Sequence, residues 1–157
     1  MTVLVVRHAR AGRRSAWKDD DRLRPLSGRG QQQAKALAVA LADVARKKRR
    51  PIEVLSSPWV RCTETVAPLA ASLGVDVRQE PALGEGRAEE ALELIAGFTH
   101  RTVVVCTHGD VVVATLDWLK GSGVDLGRAP SCPKGSTWVL ESRAGRYYVA
   151  RFLPAPA

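Results

Sequence analysis

Two of the three histidines in this 157-residue sequence hold matching positions, each just beyond a continuous apolar run. Thr2 to Val6 leads into Arg7-His8, and Thr102 to Cys106 leads into Thr107-His108-Gly109-Asp110. A third run, Ile52 to Leu55, leads into Ser56-Ser57-Pro58, with Arg61 shortly after. A neutral imidazole can act as a nucleophile and take up a phosphoryl group, splitting one transfer into two easier steps. Arginine offers a planar, permanently charged fork that fits phosphate oxygens and stabilises the charge of a phosphoryl group in transfer. Arg7, His8, Arg61 and His108 therefore describe a pocket for a phosphoryl group that needs no metal. Taken singly, a histidine after a strand is more often a solvated or hydrogen-bonded side chain. His100, in a polar turn beside Arg101, reads that way.

These side chains meet only if the runs before them lie side by side. Thr2 to Val6 and Thr102 to Cys106 are β-branched and unbroken, the pattern of strands covered on both faces. Ser27 suits the N-cap of a helix over about residues 28–48, with Ala34, Leu37, Ala38 and Leu41 on one face. Further helices are expected over about 59–73 (closed by Gly74), 89–98 and 111–120, with a weak strand at 75–78. Thr137 to Glu141 and Arg146 to Phe152 form an expected hairpin, and the Pro154–Ala157 tail is expected to fray. Strands alternate with helices, so the predicted fold is a single α/β domain over 1–157: a three-layer α/β/α arrangement around an open, mostly parallel sheet. Ligands of such sheets bind beyond the carboxyl ends of the strands. Helix N-termini near Trp59 and Asp110 would add N–H groups there.

The chain carries 24 Lys plus Arg against 16 Asp plus Glu, a formal charge of +8. Five basic residues, Arg46 to Arg50, precede Pro51. They read as cations at a helix C-terminus rather than a nucleic-acid patch, because no aromatic residue is interleaved for stacking. No apolar run approaches the ~20 residues of a membrane span, and the N-terminus lacks a secretory pattern. Cys62, Cys106 and Cys132 are odd in number and widely spaced, so they read as reduced thiols in a cytoplasmic protein. Cys62 and Cys106 read as small apolar fillers. Asp19-Asp20-Asp21 reads as a solvated turn rather than a cation site, so no metal and no cofactor are expected.

The motifs together resemble the histidine phosphatase (phosphoglycerate-mutase-like) superfamily. Leu4-Val5-Val6-Arg7-His8-Ala9 resembles its R-H-G signature, with Ala9 in place of the glycine. Residues 56–65, Ser-Ser-Pro-Trp-Val-Arg-Cys-Thr-Glu-Thr, are similar to its S-S-P-x-x-R-x-x-E-T segment. Arg24-Pro25-Leu26-Ser27 with Gly30 and Gln33-Ala34 is similar to a further segment, and Thr107-His108-Gly109-Asp110 to its second histidine motif. The resemblance implies a phosphoglycerate-mutase-like fold and His8 as the phosphorylated nucleophile. It also implies Arg7 and Arg61 as phosphate ligands, His108 as their partner, and Glu85 as the best match for the family's acid. The plainer reading of Glu85 is a solvated loop carboxylate.

No segment is long enough for the helical insert of mutases, so the site should be open, as in short phosphohistidine phosphatases. A second resemblance, to the phosphatase-like half of some Nudix hydrolases, rests on Ser15-Ala16-Trp17, Leu83-Gly84-Glu85-Gly86 and residues 134–140. It makes nucleotides a substrate class, with Lys134, Arg13 or Arg14 reaching distal phosphates and Trp17 beside the pocket. The plainer reading has Lys134-Gly135 merely turning into a strand and the arginines solvated. The expected function is a metal-independent phosphatase acting on a phosphorylated protein (phosphohistidine) or a small phosphorylated molecule. Two alternatives are a nucleotide phosphatase and a non-catalytic phosphate-recognition module. No membrane partner is expected, and a nucleic-acid partner is unlikely.

Overall fold

The two unbroken valine-rich runs become the central strands of one six-stranded sheet. The computed structural model describes residues 1–156. Ala157, the end of the tail expected to fray, lies outside the described residues. The strands β1 (Thr2–Arg7), β2 (Ile52–Ser56), β3 (Val77–Gln79), β4 (Thr102–Thr107), β5 (Thr137–Arg143) and β6 (Arg146–Leu153) lie in the order β3-β2-β4-β1-β5-β6. Strands β1 to β4 are parallel, and β5 is antiparallel to both β1 and β6. Helices α1 (Gly28–Arg46), α2 (Val60–Leu73), α3 (Ala88–Ala96) and α4 (Gly109–Gly121) complete the expected α/β architecture.

Alternation along the strands sorts the core into two layers. Leu4, Val6, Val54 and Val104 pack with Leu37 and Leu41 of α1 and Val66 and Leu69 of α2. Val3, Val5, Val103 and Val105 face the other way, against Ile95 of α3 and Val111, Leu116 and Leu119 of α4. Each such side chain contributes about 1.5–3 kcal/mol when fully removed from water. The Ser27 hydroxyl accepts the Gly30 N–H at 3.1 Å and starts α1, and Gly74 closes α2 with a left-handed φ of 71°. Helix α1 stops at Arg46, two residues short of the expected end, because Arg49 adopts a left-handed backbone before Pro51. The third strand sits slightly later than expected, at Val77–Gln79.

Topology places the site. From β1 the chain crosses through α1 to β2 on one side of β4, whereas from β4 it crosses through α4 to β5 on the other side of β1. The strand order thus reverses between β1 and β4, where α/β sheets open a crevice. Register completes the alignment: β1 and β4 pair residue for residue, Thr2 with Thr102 through Arg7 with Thr107. His8 and His108 therefore leave the sheet side by side.

Candidate active site

His8 lies immediately beyond β1, is only 6 % exposed, and has its Nδ1 2.7 Å from the Ala9 carbonyl oxygen. A carbonyl only accepts, so Nδ1 carries the proton and Nε2 keeps its lone pair. Burial lowers the His8 pKa to about 3, and the charges of Arg61, His108 and Arg7 push in the same direction. The ring is therefore neutral at physiological pH. The His108 ring stands edge-on to it, 5.6 Å between centroids. His108 Nε2 meets the Ser57 hydroxyl at 2.8 Å, and the Trp59 ring packs edge-on against the imidazole. Buried Cys62 places its Sγ 3.6 Å from the same nitrogen.

The arginines are held from behind. Arg7 donates from Nη1 to the Cys132 carbonyl at 2.8 Å and lies flat against Gly109, where a Cβ would sit 2.9 Å from its guanidinium carbon. The glycine of the Thr107-His108-Gly109-Asp110 segment is thereby explained. Arg61, 1 % exposed, donates from Nη1 to the Asp21 carbonyl at 2.9 Å and from Nη2 to the Asp21 carboxylate at 3.1 Å. Arg24 donates to the other oxygen of that carboxylate at 2.9 Å. Burial pushes the Asp21 carboxyl up, but the Arg24 hydrogen bond and the charges of Arg61, Arg24 and Arg14 outweigh it and hold its pKa below the usual value. Asp21 is thus no solvated turn residue, as the sequence suggested. A permanently charged, buried Arg61 requires a counter-ion, and Asp21 supplies it.

Other motif residues tie the loops together. Thr65 accepts the Ala9 N–H at 2.9 Å and donates to the Arg61 carbonyl at 2.6 Å. Glu64 accepts the Leu26 N–H at 3.0 Å, and Gln33 links the Arg10 N–H to the Lys134 carbonyl. Gly30 is obligatory, since a Cβ there would collide with the Arg10 carbonyl. Ala9, where a glycine was expected, packs its methyl against Leu26 and Ala34. Glu85 sits beyond the Pro81–Leu83 turn, which the Thr107 hydroxyl anchors through the Leu83 carbonyl at 2.6 Å, while Asp110 accepts the Gly86 N–H at 2.8 Å.

A cavity of about 770 Å3 opens beside the two histidines. Arg7, His8, Arg14, Arg61, Glu85, His108 and Lys134 line it, so the structure brings those candidates together. Trp17 does not join them. It stands outside the lining, half-buried, with its indole N–H donating to the Asp20 carbonyl at 2.8 Å within a local turn. Among the described residues no three His, Cys, Asp or Glu side chains come together as a metal site, and no helix is long and apolar enough to cross a membrane.

A family model for the histidine phosphatase superfamily (branch 1) matches residues 3–90. The chain belongs to that superfamily. Across 99 % of its length it is 37 % identical to an 8-oxo-(d)GTP phosphatase of Mycolicibacterium smegmatis, and it covers 48 % of that protein. The chain thus spans about half the length of this relative. The SixA structure from Agrobacterium tumefaciens superposes with a TM-score of 0.71 at 28 % identity, covering 99 % of this chain and 98 % of its own. Bacillus stearothermophilus YhfR shares the fold, with a TM-score of 0.75 at 18 % identity and 94 % coverage of both chains.

The cavity around His8 is rich in cations. Arg7, Arg10, Arg13, Arg14, Arg24, Arg61 and Lys134 line it, against the carboxylates of Glu85 and Asp110. Glu85 Oε2 lies 3.7 Å from Arg61 and its Oε1 3.8 Å from Arg14. Partial burial and the charges of Arg7, Arg24, Arg10 and Arg61 lower the Lys134 pKa from its ordinary value. Three buried polar atoms at the site have no hydrogen-bond partner among the described residues: Arg7 Nε, Arg61 Nε and His108 Nδ1.

Proposed function

We propose that this chain is a metal-independent phosphatase in which Nε2 of His8 attacks the phosphorus of its substrate and a phosphohistidine is then hydrolysed. One observation carries the reading. The buried polar atoms left without partners at this site, Arg7 Nε, Arg61 Nε and His108 Nδ1, belong to the three groups that would surround a phosphoryl group on His8. An unpaired buried donor costs about 1–3 kcal/mol, and an oxyanion accepting from all three offsets that cost.

In the first step the Nε2–P bond forms as the bond from phosphorus to the leaving oxygen breaks. The Arg7 and Arg61 guanidinium groups hold the phosphoryl oxygens and spread their charge. Ser57 accepts the Trp59 N–H at 3.3 Å, so its own proton can go to His108 Nε2. That leaves the imidazole proton on Nδ1, as a donor to the transferring group. Glu85, half-exposed at the rim, gives a proton to the leaving oxygen and takes one from the water that attacks phosphohistidine in the second step. The N–P bond then breaks and His8 returns neutral.

For substrate we infer a small polyanionic molecule such as a nucleoside di- or triphosphate. Arg10, Arg13, Arg14 and Lys134 are more cations than one phosphoryl group engages, and the Mycolicibacterium smegmatis relative is an 8-oxo-(d)GTP phosphatase by name. A phosphohistidine-bearing protein is the second reading, favoured by the likeness to SixA, a phosphohistidine phosphatase by name. The three free thiols fit a reducing, cytoplasmic setting. The test is a substrate panel in excess chelator, comparing wild type with His8→Ala on nucleotides, a phosphohistidine peptide and an aryl phosphate. Turnover is expected to survive chelation and to fall at least ~1,000-fold in the variant. Full activity of His8→Ala would overturn the mechanism.

A further inference from the structure

A second cavity, of about 510 Å3, lies at the opposite pole of the sheet from His8, where β1 and β4 begin and β5 ends. Its wall joins the end of the basic run (Lys48, Arg50), the α3–β4 turn (Phe98, His100) and the β5–β6 hairpin (Arg143, Tyr148). Glu141 is the one carboxylate in that wall, and Lys48 pairs with it at 2.8 Å. Among the described residues Arg50 and Arg143 have no carboxylate within ion-pair distance. The Arg143 guanidinium lies 4.9 Å from the centre of the Tyr148 ring, and Tyr148 is 47 % exposed.

Left-handed turns shape the rim of this cavity. Among the described residues three that are not glycine have a left-handed backbone: Arg49 (φ 49°), His100 (φ 56°) and Ala144 (φ 52°). His100 and Ala144 line this cavity, and Arg49 falls between two residues that do. Ala144 with Gly145 (φ 77°) forms the two-residue turn of the β5–β6 hairpin, and Arg49 follows the end of α1, so these conformations build the wall and the side chains carry the case for a ligand. The sequence argued against base stacking at the basic run because no aromatic residue lies within it. Folding supplies one from the far end of the chain, Tyr148.

We propose that this cavity is a second binding site, for a mononucleotide, with the phosphate on Arg50 and Arg143 and the base against the Arg143–Tyr148 stack. Guanidinium edges bind phosphate while their faces stack on rings. The volume lies in the ~300–1,000 Å3 range of small-molecule sites, which favours a mononucleotide over a strand. The site stands independently of the chemistry at His8.

The experiment is a titration with AMP followed by backbone amide NMR, with tungstate present to occupy the His8 cavity. Saturating shifts are expected in residues 98–100 and 142–148. Affinity should fall about tenfold or more in Arg50→Glu/Arg143→Glu and in Tyr148→Ala, and for adenosine or inorganic phosphate alone. Turnover of an aryl phosphate should be unchanged in both variants, which also verifies their fold. Absence of shifts in these loops, equal AMP binding by the charge-reversed variant, or equal affinity for phosphate alone would overturn the proposal. So would an adenine oligonucleotide that binds about a hundredfold more tightly than AMP with a steep salt dependence, in favour of a nucleic-acid strand.

Discussion

Burial, reinforced by Arg61, His108 and Arg7, holds the His8 pKa near 3, and this affects both reactivity and stability. As the proposed nucleophile, His8 needs no base to free its lone pair. In the unfolded chain the same ring titrates near 6.5. Between about pH 6.5 and 3 the unfolded state therefore binds a proton that the folded state refuses, and stability falls as the pH drops through that window. Above 6.5 this contribution is constant. The Tm of wild type should accordingly fall more steeply from pH 6.5 to 4 than that of His8→Asn, and equal slopes would contradict the buried neutral ring. Glu85 yields a different kind of test. Glu85→Gln should lower kcat about 100-fold or more for an alkyl phosphate, whose leaving oxygen needs a proton. Phosphoanhydrides leave readily without one and should lose far less. Equal losses on both would remove the proton from its role.

The elements that carry the site were readable in the sequence to very different extents. The runs before His8 and His108 were legible because strands buried on both faces show as unbroken apolar stretches, and their alignment follows from the β1–β4 register. Ser57, Arg61, Glu64 and Thr65 stood together as a motif, yet their separate roles emerge only from contacts with His108, Asp21, Leu26 and Ala9. Asp21 was read as solvent-facing because its partner Arg61 is distant in sequence, and nothing local indicates a counter-ion. Trp17 shows the converse: its neighbour Asp20 holds the indole N–H within a short turn, outside the cavity lining, which the sequence did not indicate. The Asp21 segment is therefore the element whose contribution is least obvious and most open to testing. Asp21→Asn should raise KM for every phosphorylated substrate and cost about 1–3 kcal/mol of stability, read by kinetics and urea unfolding. Unchanged KM and stability would show that Arg61 needs no counter-ion.

For the whole molecule, the +8 formal charge is concentrated where it has consequences. Seven cationic side chains line the cavity around His8, and further cations rim the one at the opposite pole. Partly exposed charges are screened over about 10 Å at 0.1 M salt, so the outer arginines should show themselves through ionic strength. Raising the salt should depress kcat/KM for a nucleoside triphosphate more steeply than for a monophosphate. Identical slopes would confine recognition to Arg7, Arg61 and their immediate neighbours. The proposed mechanism rests on covalent chemistry at one imidazole, and the most direct test is to trap the intermediate. Wild type mixed with substrate, quenched within a turnover and digested at alkaline pH should yield a phosphorylated peptide carrying the modification on His8, absent from His8→Ala. Turnover with no phosphate on His8 at any quench time, and undiminished activity in the variant, would contradict the account.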